Sequence, residues 1–136
     1  PHACTADFAF AIPALIAAGG GSIINTTSIA GIAATTGFDC YTPAKGGIVA
    51  LTRSLALEYG RHGIRVNAIA PGATMTERIL ARSDAMVSDP DALGIRAPLL
   101  GFPDPIDIAQ AALYFASAES RVTTGHILAV DSGFSI

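Results

Sequence analysis

Gly63-Ile64-Arg65-Val66-Asn67-Ala68-Ile69-Ala70-Pro71-Gly72 is the stretch that decides the fold. A glycine turn opens it, an apolar run follows, and Pro71-Gly72 closes it. A short apolar run bounded by turn residues predicts a strand buried in a parallel sheet. Proline ends that strand because it cannot continue the hydrogen-bond ladder. Just upstream, Asp39 to Gly60 carries a helical period: Ile48, Leu51, Thr52, Leu55 and Tyr59 hold one face, and Gly60 is placed to stop it. Before that helix, Ser22 to Thr27 (Ser-Ile-Ile-Asn-Thr-Thr) predicts another buried strand, followed by a loop rich in Ala, Thr and Gly from Ser28 to Phe38. A helix over about Thr5 to Ala18 precedes it, with Phe8, Ile12, Leu15 and Ile16 at helical spacing and Gly19-Gly20-Gly21 as its stop.

Working downstream, Thr74 to Leu100 mixes polar and apolar residues, and Ser88-Asp89-Pro90-Asp91 reads as a mobile loop. Asp104-Pro105 then caps a helix running to about Ala118. His126 to Val130 is a third strand, closed by Asp131-Ser132-Gly133. Strands alternating with helices predict an α/β fold with a parallel sheet. Three strands and about four helices cover both faces of such a sheet poorly, so the chain reads as a piece of a larger one. Pro1 stands where an initiator Met is expected, which points the same way.

Composition narrows the function. The 136 residues fit one domain at most, and 51% are hydrophobic, which excludes a disordered chain. Charged residues make up 14%, against about 25% in an ordinary domain. Mean hydropathy is +0.50. No apolar run approaches the roughly 18 residues that a membrane span needs. Eight basic residues are scattered and outnumbered by eleven acidic ones, which argues against a nucleic-acid surface. Cys4 and Cys40 make neither a disulfide framework nor a zinc site, and His2, His62 and His126 lack metal-ligand spacing. The reading is a reduced, cytoplasmic protein with no metal.

Chemistry concentrates at Tyr41-Thr42-Pro43-Ala44-Lys45, near the start of the long helix. Residues four apart share a helix face, so the Lys45 ammonium can lie close to the Tyr41 hydroxyl. A nearby positive charge favours a phenolate, which a tyrosine needs in order to act as acid or base near neutral pH. Ser28 follows a strand and therefore sits at the carboxyl end of the sheet, where open α/β folds bind ligands. Its hydroxyl could orient a substrate carbonyl or hydroxyl. Taken alone, a tyrosine and a lysine four apart are common, as a half-buried ring and a surface cation.

The context gives the pair its meaning. Gly21 to Gly31, Tyr41 to Lys45, Gly63 to Gly72, and Thr124-Gly125 through Asp131-Ser132-Gly133 occur in the order found in the short-chain dehydrogenase/reductase family. The chain resembles that family over nearly its whole length. The resemblance implies a Rossmann-like, doubly wound parallel sheet of which residues 1–136 form the C-terminal part of a single NAD(P)-binding domain. It implies Ser28 orienting the substrate carbonyl, Tyr41 as general acid/base, and Lys45 favouring the Tyr41 phenolate while bonding the nicotinamide ribose. Pro71 and Gly72 would line the nicotinamide pocket, with Thr74 and Thr76 contacting the carboxamide through backbone and hydroxyl respectively. The cofactor would be NAD or NADP and the substrate a small secondary alcohol or ketone. Thr27 reads as a strand residue rather than a second catalytic hydroxyl, and Asn67 as a partner for backbone within the sheet. Asp39, Cys40 and the loop from Ala33 to Phe38 are candidates for touching substrate, although Phe38 fits a core anchor equally well. The segment from Thr76 to about Leu100 resembles the family's variable substrate loop, where Met75, Ile79, Leu80, Met86 and Leu93 would supply an apolar lining or a core stripe.

Several family features have no counterpart in these residues. The glycine-rich phosphate loop does not occur, and Gly19-Gly20-Gly21 precedes a strand instead of opening a helix. The residue that selects NAD or NADP is missing, as is the catalytic asparagine, which alignment puts just before Pro1. Ser132 stands where the family usually has glycine. Two alternatives therefore accompany the oxidoreductase reading. One is a non-catalytic fragment serving as an oligomerisation or interaction module, since the family's helices matching Thr5–Ala18 and Asp39–Gly60 pair with their copies to give a homodimer or homotetramer. The other is an epimerase or dehydratase of the extended branch, which the Pro71-Gly72 turn and the short tail disfavour.

Overall fold

A computed structural model describes residues 2–33, 39–77 and 98–136. Its elements are α1 (His2–Ala17), β1 (Gly21–Thr26), α2 (Tyr41–Tyr59), β2 (Ile64–Pro71), α3 (Pro105–Ala116) and β3 (Ile127–Val130). The three strands form a parallel sheet in the order β1-β2-β3. Gly21 pairs with Ile64 and Thr26 with Ile69, while Ala68 pairs with Ile127 and Pro71 with Val130.

Alternation along the strands shows which helix covers which face. Ile23 and its neighbour Val66 join Ile64, Ile12 of α1, and Leu55 and Ala56 of α2 in the hydrophobic core, with Phe8, Leu15, Leu51 and Tyr59 packed around them. One residue out of phase, Ser22 and its partner Arg65 point at α3. The Ser22 hydroxyl donates to the Phe115 carbonyl at 2.8 Å. The Arg65 guanidinium donates to that same carbonyl at 2.9 Å, to the Ser120 hydroxyl at 2.7 Å and to the Ser117 carbonyl at 3.3 Å. A cation is thus spent on the carbonyls at the C-terminal end of α3, where the helix leaves them without partners. Helices lie on both faces, as the expected doubly wound sheet requires.

The central strand carries most of the burial. Six residues of β2, Ile64 and Val66 through Ala70, are buried, whereas β1 is only partly so. The expectation of a fully buried first strand therefore fails for β1, because it pairs with β2 alone among the described residues. The long helix ends at Tyr59 with Gly60 at its C-cap, where the sequence places the stop. Gly60 keeps right-handed helical geometry (φ −56°) and begins a short 3-10 turn, Gly60–His62. Gly63, at φ 71°, is the left-handed residue that reverses the chain into β2. On α1, Ile12 is buried but Ile16 is 38% exposed, so the inward stripe is narrower than its periodicity predicts. At α3, Pro105 occupies the first turn and the Asp104 N–H donates to the Asp107 carboxylate at 2.8 Å, which starts the helix where Asp104-Pro105 predicts.

Asn67 is fully buried on β2. Its amide donates to the Thr123 carbonyl at 2.8 Å and its carbonyl accepts from the His126 N–H at 3.0 Å. It does bond backbone, but that of the turn leading into β3 rather than the ladder itself. Asn67→Leu removes two hydrogen bonds from a fully buried position and leaves the part-buried Thr123 carbonyl and His126 N–H without that partner, so it is expected to destabilise the full-length chain by about 2–3 kcal/mol. Urea unfolding reads this directly, and a change below about 0.5 kcal/mol would show that the turn finds other partners.

Candidate active site

The carboxyl ends of β1 and β2 gather the residues of interest. Thr26 is level with Ile69, where the β1–β2 pairing ends; Ser28 follows two residues later, while β2 runs on to Pro71 beside Val130 of β3. The Thr27 N–H continues the ladder by donating to the Ile69 carbonyl at 2.8 Å. Ser28 is extended (φ −162°, ψ 158°), and its hydroxyl accepts from the Ala30 N–H at 3.2 Å, capping the 3-10 turn Ile29–Gly31. The chain then passes very close to α2. A Cβ on Gly31 would lie 2.8 Å from the Lys45 carbonyl carbon and 2.8 Å from Thr27 Oγ1, so only glycine lets this loop sit there.

Tyr41 opens α2 and is 43% exposed. Lys45 follows one turn later, and its Nζ lies 5.6 Å from the centroid of the Tyr41 ring. That ammonium also donates to the Thr26 carbonyl at 3.1 Å. Tyr41 and Lys45 are therefore brought together on one face, at the same end of the sheet as Ser28.

On the other side of Ser28, the Gly72 N–H donates to the Val130 carbonyl at 3.0 Å. Asp131, buried, holds this turn from below: a Cβ on Gly72 would lie 2.9 Å from the Asp131 Cβ. Both Asp131 carboxylate oxygens are occupied, accepting from the Gly133 N–H at 3.0 Å and the Ser135 N–H at 2.9 Å. Between them Ser132 adopts φ 55°, a left-handed conformation that glycine takes at lower cost, which gives the family's usual glycine here a physical reason. The Thr74 hydroxyl donates to the Gly72 carbonyl at 3.2 Å, and the Thr76 N–H to the Thr74 carbonyl at 2.8 Å. Thr76 is exposed and lies one turn further from Gly72.

Asp39 and Cys40 are exposed immediately before α2, and Cys40 is a free thiol. Phe38, Ile79, Leu80, Met86 and Leu93, with residues 34–37 and the loop Ser88–Asp91, lie outside the described residues. Among those described, no group of His, Cys, Asp or Glu could hold a metal ion, and no helix is long and apolar enough to cross a membrane.

The model of the family described as Enoyl-(Acyl carrier protein) reductase matches residues 4–135. The chain belongs to the short-chain dehydrogenase/reductase family. Among its short-chain dehydrogenase/reductase relatives is an A-factor type gamma-butyrolactone 1'-reductase (1S-forming) from Streptomyces virginiae, 43% identical over 129 residues, covering 92% of this chain and 49% of that protein. Two solved members of the same fold carry nicotinamide cofactors. ElxO with NADP bound superposes with a TM-score of 0.83 at 27% identity, covering 93% of this chain and 51% of its own. A 3-oxoacyl-[acyl-carrier protein] reductase from Brucella melitensis with bound NAD gives 0.78 at 30% identity, covering 96% and 47%. The chain thus spans about half the length of the short-chain dehydrogenases/reductases that it matches.

A dinucleotide has a nicotinamide end and a pyrophosphate end, and the residues present fit the first. An ammonium carries three donors, and Thr26 takes one from Lys45; Tyr41 is half exposed beside it, and Gly72 offers a backbone without a side chain. For the pyrophosphate the described residues offer nothing comparable. Gly19-Gly20-Gly21 leads into β1 at the opposite end of the sheet from Ser28, and no helix begins there.

Sequence reasoning left Thr27, Gly31 and Asp131 without roles at this site. The first two act through contacts between β1 and α2 that no local pattern announces. Asp131 did carry a signal, since an Asp followed by Ser-Gly is the composition of an Asx-type turn.

Proposed function

We propose that residues 1–136 are the C-terminal part of a single NAD(P)-binding domain and carry the proton-transfer centre of an oxidoreductase that interconverts a secondary alcohol and a ketone. The observation that carries this reading is the Lys45 ammonium, held at the end of β1 and 5.6 Å from the Tyr41 ring centroid. Tyr41 is the general acid/base: in oxidation the alcohol proton passes to its phenolate oxygen, and in reduction its hydroxyl gives that proton back. Ser28 orients the substrate oxygen, and Lys45 stabilises negative charge as it develops on the Tyr41 oxygen. NAD or NADP, when bound, accepts or supplies the hydride. Lys45 and Tyr41 hold its ribose, Pro71 and Gly72 line its nicotinamide, and Thr74 and Thr76 contact its carboxamide. The free Cys40 thiol suits a cytoplasmic protein.

One further observation favours association with a second copy. A groove of about 310 Å³ runs between α1 and α2, lined by Phe8, Ala9, Ile12, Pro13, Leu51, Leu55 and Tyr59. The same helices expose Phe10 at 81% and Leu57 at 89%. An apolar groove and exposed apolar side chains on a chain with few charges suit a homodimer or homotetramer. One preparation of the full-length protein tests both readings. We expect secondary alcohols to drive reduction of NAD or NADP, and sedimentation to give a dimer or tetramer. A stable oligomer without turnover on any secondary alcohol or ketone would favour an interaction module, and a monomer would remove the oligomer reading.

A further inference from the structure

Lys45 is gripped at both ends by consecutive residues at the end of β1, Thr26 and Thr27. Its ammonium donates to the Thr26 carbonyl at 3.1 Å, and its own backbone carbonyl accepts from the Thr27 hydroxyl at 2.8 Å. Thr27 is 2% exposed, and its N–H is meanwhile tied to Ile69 of β2 at 2.8 Å. Gly31 closes the joint from the other side, where an added Cβ would lie 2.8 Å from both the Lys45 carbonyl carbon and Thr27 Oγ1. One buried residue therefore connects the central strand, through its N–H, to the turn of α2 that bears Lys45, through its hydroxyl, and it immediately precedes Ser28. With its hydrogen committed inside the protein, the Thr27 hydroxyl has no access to a substrate.

We infer that Thr27 is a positioning residue, which fixes the Lys45 backbone so that Ser28, Tyr41 and the Lys45 ammonium share one geometry. The inference rests on the reading of Tyr41 and Lys45 as the proton-transfer pair. Reactions of this kind are sensitive to misplacement: a shift of about 1 Å can cost about 100-fold in rate. The Thr27 bond should therefore appear in turnover and not in substrate affinity.

The test compares Thr27→Val, Thr27→Ala and Thr27→Ser with Tyr41→Phe in the full-length protein, with folding followed by circular dichroism. Thr27→Val keeps the branched shape and removes the donor; we expect kcat to fall about 10- to 100-fold with KM changed less than about threefold. Thr27→Ser restores the donor and is expected to stay within about threefold of wild type in kcat. If Thr27→Val turns over like wild type while Tyr41→Phe is inactive, the inference is overturned and the proton-transfer reading stands. An active Tyr41→Phe removes that reading and the inference with it. Equal losses in the Ser and Val variants would mean that the hydroxyl is not what matters. If Val and Ala both fail to fold while Ser is active, Thr27 supports folding and not the geometry of the site, which also overturns the inference.

Discussion

Tyr41→Phe is expected to lower kcat in the full-length protein by about 10²- to 10⁴-fold, the usual worth of a positioned general acid or base. The prediction is large because Phe removes only the oxygen on which the proton is exchanged. The ring stays, and with it the stacking surface 5.6 Å from the Lys45 ammonium. Tyr41 is 43% exposed at the start of α2, so the missing hydroxyl leaves little buried polar surface behind. Unfolding free energies of the variant and wild type should agree to within about 0.5 kcal/mol, as for ordinary surface substitutions. Steady-state kinetics alongside urea unfolding separates the two effects. Turnover within about tenfold of wild type would show that another group carries the proton.

How much of this was legible beforehand follows from the range over which each contact acts. Apolar runs and glycine or proline stops are local, so Ser22–Thr27 and Ile64–Ala70 read as strands that the structure places within a residue at β1 (Gly21–Thr26) and β2 (Ile64–Pro71). Tyr41 and Lys45 were legible as a pair because helical spacing alone puts them on one face. Local pattern placed the helix stop at Gly60 and the turn at Gly63, but not the right-handed geometry that Gly60 keeps in the 3-10 turn between them. Nor could it show β1 as only partly buried, because a strand's burial depends on its neighbours and not on its own residues. The Thr27 hydroxyl meets Lys45 across 18 positions, and Asn67 meets Thr123 and His126 across more than 50. Such bonds exist only once the sheet has brought distant segments together. For the same reason, Ser28 could be placed at the carboxyl end of the sheet from sequence, whereas the level at which β1 parts from β2, Thr26 beside Ile69, needed the strand register.

Lys45→Met should cost almost as much as losing the Tyr41 hydroxyl, about 10²- to 10³-fold in kcat, which is the scale for removing one preorganised donor at a developing charge. Methionine retains an unbranched stem of similar length, so packing against the start of the β1 loop changes little. What is lost is the ammonium, and with it both the bond to the Thr26 carbonyl and the charge over the Tyr41 ring. Lys45→Arg separates these two losses. A guanidinium keeps the charge but is planar and longer, and it cannot place a compact cation on the Thr26 carbonyl with the Lys45 backbone clamped by Thr27. We therefore expect Arg to recover little, staying at least about tenfold below wild type, a difference of about 1.4 kcal/mol in the barrier. Combining Lys45→Met with Tyr41→Phe provides the stronger check. If Lys45 works through the Tyr41 oxygen, removing that oxygen leaves the ammonium nothing to stabilise, and the double variant should be barely slower than Tyr41→Phe alone. Multiplying losses would instead mean that Lys45 contributes independently, through the ribose contact, and the two roles assigned to it would then have to be weighed in the opposite order.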